Sequence, residues 1–472
     1  MDITIATLLL LLLCGFIGAK VNSLVDVLLP SIKHLPEAAD EIISEFKPTI
    51  GSLPEQVHLS LGDDAYSMVV LWSTAEEQEE ENSYVHYGVG EDNFTLTVDA
   101  QSEDLSNGNP LGCKGVYRGV MKDLVPGQMH SYRVQTGRHF SRKYSFKCPE
   151  SEANQSASFL VYGDLGILGG GYTLARLITE AKSQKYSAVI HVGDFAYDFH
   201  SNGGRRGDDF MRSLVPVASR LPYMHSVGNH EIPFAFMHYR FRFSSPGTPW
   251  PIPLHRMWYS FHMGLVHFIS YSTEVYYTYN QMYVSAQYKW LTEELQEANR
   301  NRDTRPWVIV FGHRPMYCSN FNNDDCTKNR SQLRMEPHNL ERLFHEQGVD
   351  LIIQAHEHSY ERLYPLFDGV QTDCSYVNPK AAIHIIAGSA GCNEREMLCA
   401  DVILGKPHHW SAKRSWLPGL NGYARLNVIN STHLNWQQVM SITDQPLDQF
   451  YIVQEHHGPR QEVVERRCKQ QR

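Results

Sequence analysis

A chain of 472 residues exceeds what one hydrophobic core usually spans, so roughly two to three domains are expected. Hydrophobic residues at 42% and charged residues at 20% are ordinary for a globular protein. A formal net charge of -10 weighs against nucleic acid as a partner, since such proteins usually carry a basic face, although a local basic cleft is compatible with it.

From the N-terminus, Ile3 to Ala19 is an apolar run holding the consecutive leucines Leu8 to Leu13. Gly15, Gly18 and Ala19 follow, then Lys20. This is the pattern of a signal peptide (residues 1–19) cleaved near Ala19, except that the leading segment carries Asp2 and no basic residue. The run is short for a membrane span, no second long apolar run exists, and the tail Gln461 to Arg472 is polar. Export without a stable membrane anchor is the expectation, to the extracellular space or a lysosome. Residues 20–53 place Leu24, Val27, Leu28 and Ile32 at helical spacing, which suits a helix or a propeptide.

Cysteine use agrees with export. Without Cys14, the chain keeps Cys113, Cys148, Cys318, Cys326, Cys374, Cys392, Cys399 and Cys468, and no C-x-x-C occurs. Of roughly a hundred possible pairings, proximity favours Cys113–Cys148, Cys318–Cys326 and Cys392–Cys399. Sequons at Asn93, Asn154, Asn329 and Asn430 imply glycosylated surface loops.

Residues 54–150 read as all-β. Val57, Leu59 and Leu61 alternate with polar positions, Met68 to Trp72 is a buried run, and further short strands follow, separated by turns such as Asn107-Gly-Asn-Pro110 and Pro126-Gly127. Such a series predicts a sandwich. The acidic run Glu76 to Glu81 reads as a solvated loop.

From Ser156 the pattern becomes strand, helix, strand. Apolar strands end at Tyr162, Val192, Val227, Phe311 and Ala355, with helical spacing around Leu174–Ile178, Phe210–Val217, Trp290–Leu295 and Leu340–Phe344. This alternation predicts α/β layers with buried sheets over 156–400, completed by 401–445 and followed by a polar tail, 446–472.

Each of these strands runs into polar residues able to bind metal: Gly163-Asp164-Leu-Gly166, Gly193-Asp194-Phe-Ala-Tyr197, Gly228-Asn229-His230-Glu231, Gly312-His313 and Ala355-His356-Glu-His358. Open α/β sheets build their sites beyond the carboxyl ends of strands. Asp164, Asp194, Tyr197, Asn229, His313, His356 and His358 are oxygen and nitrogen donors, more than one ion needs from protein. They suit two ions that share a bridging carboxylate, an arrangement that clamps in-line displacement at phosphorus. Other features read as bland. Gly169-Gly-Gly171 lacks the G-K-[ST] of a P-loop. His408-His409 and His456-His457 read as surface pairs.

The ordered blocks Asp164, Asp194, Asn229-His230-Glu231, His313 and His356-x-His358 resemble the dinuclear metallophosphoesterase superfamily. With Tyr197 ending the second block and Gly166 where relatives usually carry histidine, they resemble purple acid phosphatases of the large type. The resemblance spans about residues 54 to 445, including Gly419-Leu-Asn-Gly-Tyr423 and Trp436. It implies an N-terminal fibronectin-III-like β-sandwich followed by a two-sheet β-α-β metallophosphoesterase sandwich. It implies iron(III) on Asp164, Tyr197 and His358, Asp194 bridging, and a divalent iron, zinc or manganese on Asn229, His313 and His356. It implies acid phosphatase activity on small phosphate monoesters by metal-hydroxide attack, with His230 contacting phosphate or protonating the leaving group. Two departures stand out. The loop Met316 to Cys326 lacks the histidines common in plant members and carries Asn322, Asn323, Asp324 and Asp325, and Ala355 replaces a usual glycine. Phosphodiesterase or nucleotide pyrophosphatase activity on the same core is the alternative enzyme reading. A secreted, non-catalytic binding protein is the alternative of another class, against which the full set of donors argues. No feature of the sequence sets the oligomeric state.

Overall fold

The computed structural model describes residues 53–76, 82–150, 155–167, 169–278, 281–320, 324–327, 331–391, 406–415 and 421–460, together with Glu41 and Glu45. The signal peptide, most of segment 20–53, Asn154, Asn329, most of the acidic run, Asn322, Asn323, the Cys392–Cys399 pair, Cys468 and residues 461–472 lie outside these. No helix of the described residues is long and apolar enough to cross a membrane.

The first unit is a β-sandwich. Its strands run in the order Glu55–Leu61, Met68–Thr74, Gly115–Met121, Leu96–Asp104, Ser83–Val89 and Met129–Thr136, with Tyr144–Lys147 also on the last of these. Alternation puts Val57, Leu59, Val70, Trp72, Val85, Tyr132 and Val134 into one core. Trp72 Nε1 donates to Thr136 Oγ1 at 2.9 Å, so the indole is buried with its polar atom satisfied.

The second unit stacks two sheets between outer helices. The first sheet runs Tyr223–Ser226, Ala188–Val192, Ala157–Tyr162, Gly422–Val428, His433–Met440 and Gln445–Val453. Its first three strands are parallel, and Ala157–Tyr162 then pairs antiparallel with Gly422–Val428, Val161 opposite Ala424. The second sheet has a parallel centre, Val266–Ser270, Trp307–Phe311, Leu351–Gln354 and Ile383–Ala387. Phe159, Val161, Ile190 and Val192 face Phe268, Ile309, Ile353 and Ile385 across the interior. Helices Gly171–Lys182 and Arg205–Ala218 cover one outer face, and Gln281–Arg300 and Leu340–Glu346 the other. Strands buried on both faces explain the continuous apolar runs in the sequence.

A buried polar network docks the sandwich onto this unit. Arg242 donates to Asp208 Oδ1 (2.7 Å) and Gln56 Oε1 (2.8 Å), and the carbonyl of Arg242 accepts from His58. This network corrects one expected disulfide. Cys113 and Cys148 are both free thiols. Cys113 faces the second unit, its amide donating to Asp208 and its thiol to Glu55, while Cys148 stays at the sandwich edge near the carbonyl of Ala65. Burial pushes the Cys113 thiol well up. Cys318 and Cys326 do form a disulfide, and Cys374 is also disulfide-bonded. His457 departs from the expected surface pair: its Nδ1 reaches buried Asp350 at 3.2 Å and its ring packs edge-on against Trp307. His408 stacks on Trp410.

Candidate metal centre

The five strand-end blocks converge on one end of the two sheets, and all eight residues singled out in the sequence meet there. Asp164, Asp194, Tyr197 and His313 are buried. Asp164, Asp194, Tyr197 and His356 adopt left-handed backbone, with φ of 58°, 54°, 50° and 66°. Such conformations cost on the order of 1 to 3 kcal/mol each in residues other than glycine and concentrate at functional sites. Glycine is required beside them: a Cβ on Gly228 would sit 2.2 Å from Asp194 Oδ1, and one on Gly193 would sit 2.6 Å from His313 Nδ1.

The donors form two groups. In the first, Tyr197 Oη lies 3.1 Å from Asp164 Oδ1 and 2.7 Å from His358 Nε2, and His358 Nε2 lies 3.5 Å from Asp164 Oδ1. In the second, His313 Nε2 lies 3.2 Å from Asp194 Oδ2 and 3.1 Å from Asn229 Oδ1. His356 joins the second group, its ring meeting that of His313 at 5.1 Å, while its amide donates to Asp164 Oδ2. Asp194, His313 and His356 can present ligand atoms to a common point. The turn after Gln354 therefore sends His356 and His358 to different groups.

This geometry fits metal. Donors about 2.0 to 2.3 Å from a common ion stand roughly 3 Å from one another, which is the spacing within each group. The set is hard oxygen and imidazole nitrogen, without thiolate. His313 Nδ1 bonds the carbonyl of Val192 at 2.9 Å, which turns Nε2 toward Asp194 and Asn229. Despite burial, the Asp194 carboxylate holds the His313 imidazolium up to about 10, and His313 holds Asp194 well below the carboxylate range. A cation at this position would replace that proton.

Sequence reasoning did not foresee the groups that hold these donors. Buried Glu231 accepts from the amides of Asp194 (3.0 Å), Phe195 (3.1 Å) and Gly228 (2.9 Å), tying the second block to the third. Asp198 accepts from His230 Nδ1 at 2.9 Å, and that hydrogen bond holds the Asp198 carboxyl below its ordinary range. The His230 ring packs on Tyr197 at 4.6 Å, with Nε2 4.0 Å from Asp194 Oδ2. Asp324, from the loop without histidine, contacts His356 Nε2 at 2.8 Å. Arg314 pairs with buried Glu274 at 2.9 Å and approaches His356. Adjacency to Tyr197 and His313 was the only signal for Asp198 and Arg314. Tyr360 and Arg362 both bond Asp448, and Glu361 bonds Ser319, which are structural roles.

Two facing sheets with this convergence of donors define a metallophosphoesterase, and the model of the calcineurin-like phosphoesterase family matches residues 157–360. The purple acid phosphatase N-terminal domain matches 54–148, and the iron/zinc purple acid phosphatase-like protein C domain matches 381–449. Acid phosphatase type 7 of Danio rerio is 41% identical over 431 residues, covering 87% of this chain and 93% of that protein. Its Homo sapiens counterpart is 40% identical over 421 residues, covering 86% and 92%. The purple acid phosphatase PPD1 of Lupinus luteus superposes with a TM-score of 0.71 at 21% identity, covering 86% of this chain and 75% of that one. The chain belongs to the purple acid phosphatases. That family implies a centre of two metal ions, typically iron and one other.

Proposed function

We propose that this chain is a secreted acid phosphatase that hydrolyses small phosphate monoesters at an iron(III)–divalent metal centre. The observation that carries the reading is the pair of donor groups with ligand spacing at the strand ends. Asp164, Tyr197 and His358 would hold iron(III), since phenolate and carboxylate are hard anionic donors. Asn229, His313 and His356 would hold the divalent ion, with Asp194 shared. When bound, such a pair supplies Lewis acidity toward the phosphoryl oxygens and acidifies water for in-line attack.

The chain's own residues do the rest. Glu231 fixes the backbone of Asp194 and Gly228, so the two donor groups keep their separation. Asp198 fixes the proton of His230 on Nδ1, leaving Nε2 as the nitrogen turned toward Asp194. In its doubly protonated form, with Nδ1–H held by Asp198, His230 would give its Nε2 proton to the departing alkoxide or donate from Nε2–H to a phosphoryl oxygen. Burial of Asp164, Asp194 and His313 lowers the local dielectric and strengthens the interactions they make. The apolar N-terminal run, the sequons and the Cys318–Cys326 disulfide support export.

The test is metal analysis and a visible spectrum of the purified protein beside Tyr197→Phe, with hydrolysis of 4-nitrophenyl phosphate and its bis ester. Two metals per chain, a visible band lost in Tyr197→Phe and preference for the monoester are expected. A colourless protein with bound metal sinks the iron assignment, and preference for the diester sinks the monoester reading. Full-length protein retained inside secreting cells, without glycan, sinks the export assignment.

A further inference from the structure

A cavity of about 400 Å³ lies where the sandwich meets the second unit, and residues of both units line it. No metal donor borders it. Arg305, at one end of the cavity, precedes strand Trp307–Phe311, and His313 follows that strand. At the rise of an extended chain this sets the two residues roughly 20 Å apart. The cavity is therefore separate from the metal centre.

The charged groups around the cavity differ in one respect. On the sandwich side, Asp63 accepts from the amide of Gly247 at 2.8 Å and Asp64 from that of Tyr66 at 2.9 Å. Glu150 pairs with Lys147 at 3.6 Å. On the other side, Glu294 pairs with His267 at 2.8 Å, and Arg256 donates to the carbonyl of Gly247 at 3.1 Å. Arg305 has no counterpart to these bonds. Among the described residues its Nε is shielded from solvent and meets no acceptor. Burial holds the guanidinium below the ordinary arginine pKa, and no carboxylate acts against that shift. A cation withdrawn from water without an acceptor is costly, so this position calls for an anionic group from outside the chain.

Two indoles define what accompanies that group. Trp258 is only 5% exposed, and half-buried Trp290 lies one helical turn from Glu294 on helix Gln281–Arg300. Both belong to one apolar cluster with Val275 and Val284, and both present surface to the cavity. Flat apolar bodies gain most from indole surfaces. The carboxylates of Asp63, Asp64, Glu150 and Glu294 around the same space disfavour a ligand with several negative charges. We propose that this junction cavity is a second ligand site, which takes a planar aromatic monoanion with its acidic group on Arg305 and its ring against Trp258 and Trp290. The volume is that of a small-molecule site, and such sites form preferentially between domains. An occupant touches both units and so stabilises their docking by mass action. The inference does not rest on the phosphatase reading.

The test titrates the metal-loaded protein with 2-naphthoate and 2-naphthalenesulfonate, followed by calorimetry and tryptophan fluorescence. Saturating inorganic phosphate keeps the probes off the metal centre, and neutral 2-naphthamide isolates the contribution of charge. Saturable binding of at least one acid is expected, with the amide about tenfold weaker. Affinity for the acid is expected to fall about tenfold in Arg305→Gln, to recover in part in Arg305→Lys and to fall in Trp290→Ala. Without probe, Arg305→Gln is expected to keep its urea midpoint and its rate on 4-nitrophenyl phosphate. No saturable binding of either acid overturns the inference. So does an affinity in Arg305→Gln within about twofold of wild type, or a lowered midpoint with unchanged affinity, which would make Arg305 a structural residue. A wild type that binds the acids but hydrolyses no ester overturns the phosphatase reading and leaves this site standing.

Discussion

Asp198 accepts a hydrogen bond from His230 Nδ1 at 2.9 Å, although the two residues follow different strands. Asp198→Ala is expected to lower kcat roughly tenfold with a smaller change in KM, because the ring loses its fixed orientation. His230→Ala is expected to cost about 100-fold or more. Asp198→Asn keeps an acceptor oxygen and recovers most of the loss. Steady-state kinetics across pH checks this, and an Asp198→Ala enzyme indistinguishable from wild type removes the orienting role.

Glu231 satisfies three backbone amides and is itself buried. Leaving buried donors unsatisfied costs about 1 to 3 kcal/mol each. Glu231→Ala is therefore expected to lower unfolding stability by at least about 2 kcal/mol and to reduce metal content. Urea denaturation and elemental analysis read the two effects separately.

The Cys318–Cys326 disulfide closes the loop that follows His313, and Glu357 packs against it, with Oε1 3.3 Å from Cys326 Sγ. Replacing both cysteines by serine is expected to cost about 2 to 3 kcal/mol, the value for so short a loop. Activity is expected to fall as well, because Glu357 sits between His356 and His358. Calorimetry and kinetics on the double variant provide the check.

His384 is buried in the second sheet, its Nδ1 3.5 Å from Gln354. Burial, followed by the charge of Arg334, pushes it down to about 3. The unfolded chain, with an ordinary histidine near about 6.5, then binds a proton that the folded chain does not. Stability from this group is unaffected above that value and falls as the pH drops from there toward 3. The slope is at most about 1.4 kcal/mol per pH unit. His384→Leu is expected to lose less stability than wild type between neutral pH and the acidic range. Equal losses by urea unfolding would contradict the assignment.

The donors were legible in the sequence because each follows a doubly buried strand, whose apolar run points straight at the polar residues after it. The groups that hold them were not. Asp198 and Glu231 act through partners more than 30 positions away in the chain, and no local pattern marks that. Strand Gly422–Val428 went unread because its partner Ala157–Tyr162 lies far upstream, and His433–Met440 and Gln445–Val453 extend the sheet from it as successive antiparallel hairpins. The Cys113–Cys148 expectation failed for a related reason. Nearness in sequence says nothing of which side of the sandwich a thiol faces, and Cys113 faces Asp208 of the catalytic unit.

The pairing of Val161 with Ala424 also orders events in time. Until the last strands leave the ribosome, Ala157–Tyr162, which leads directly into Asp164, has an open edge on one side. Contacts so distant in sequence close slowly. The ligand floor is thus completed only when nearly the whole chain has been made. A chain cut short before Gly422 would leave Ala157–Tyr162, the strand that leads into Asp164, with an unpaired edge.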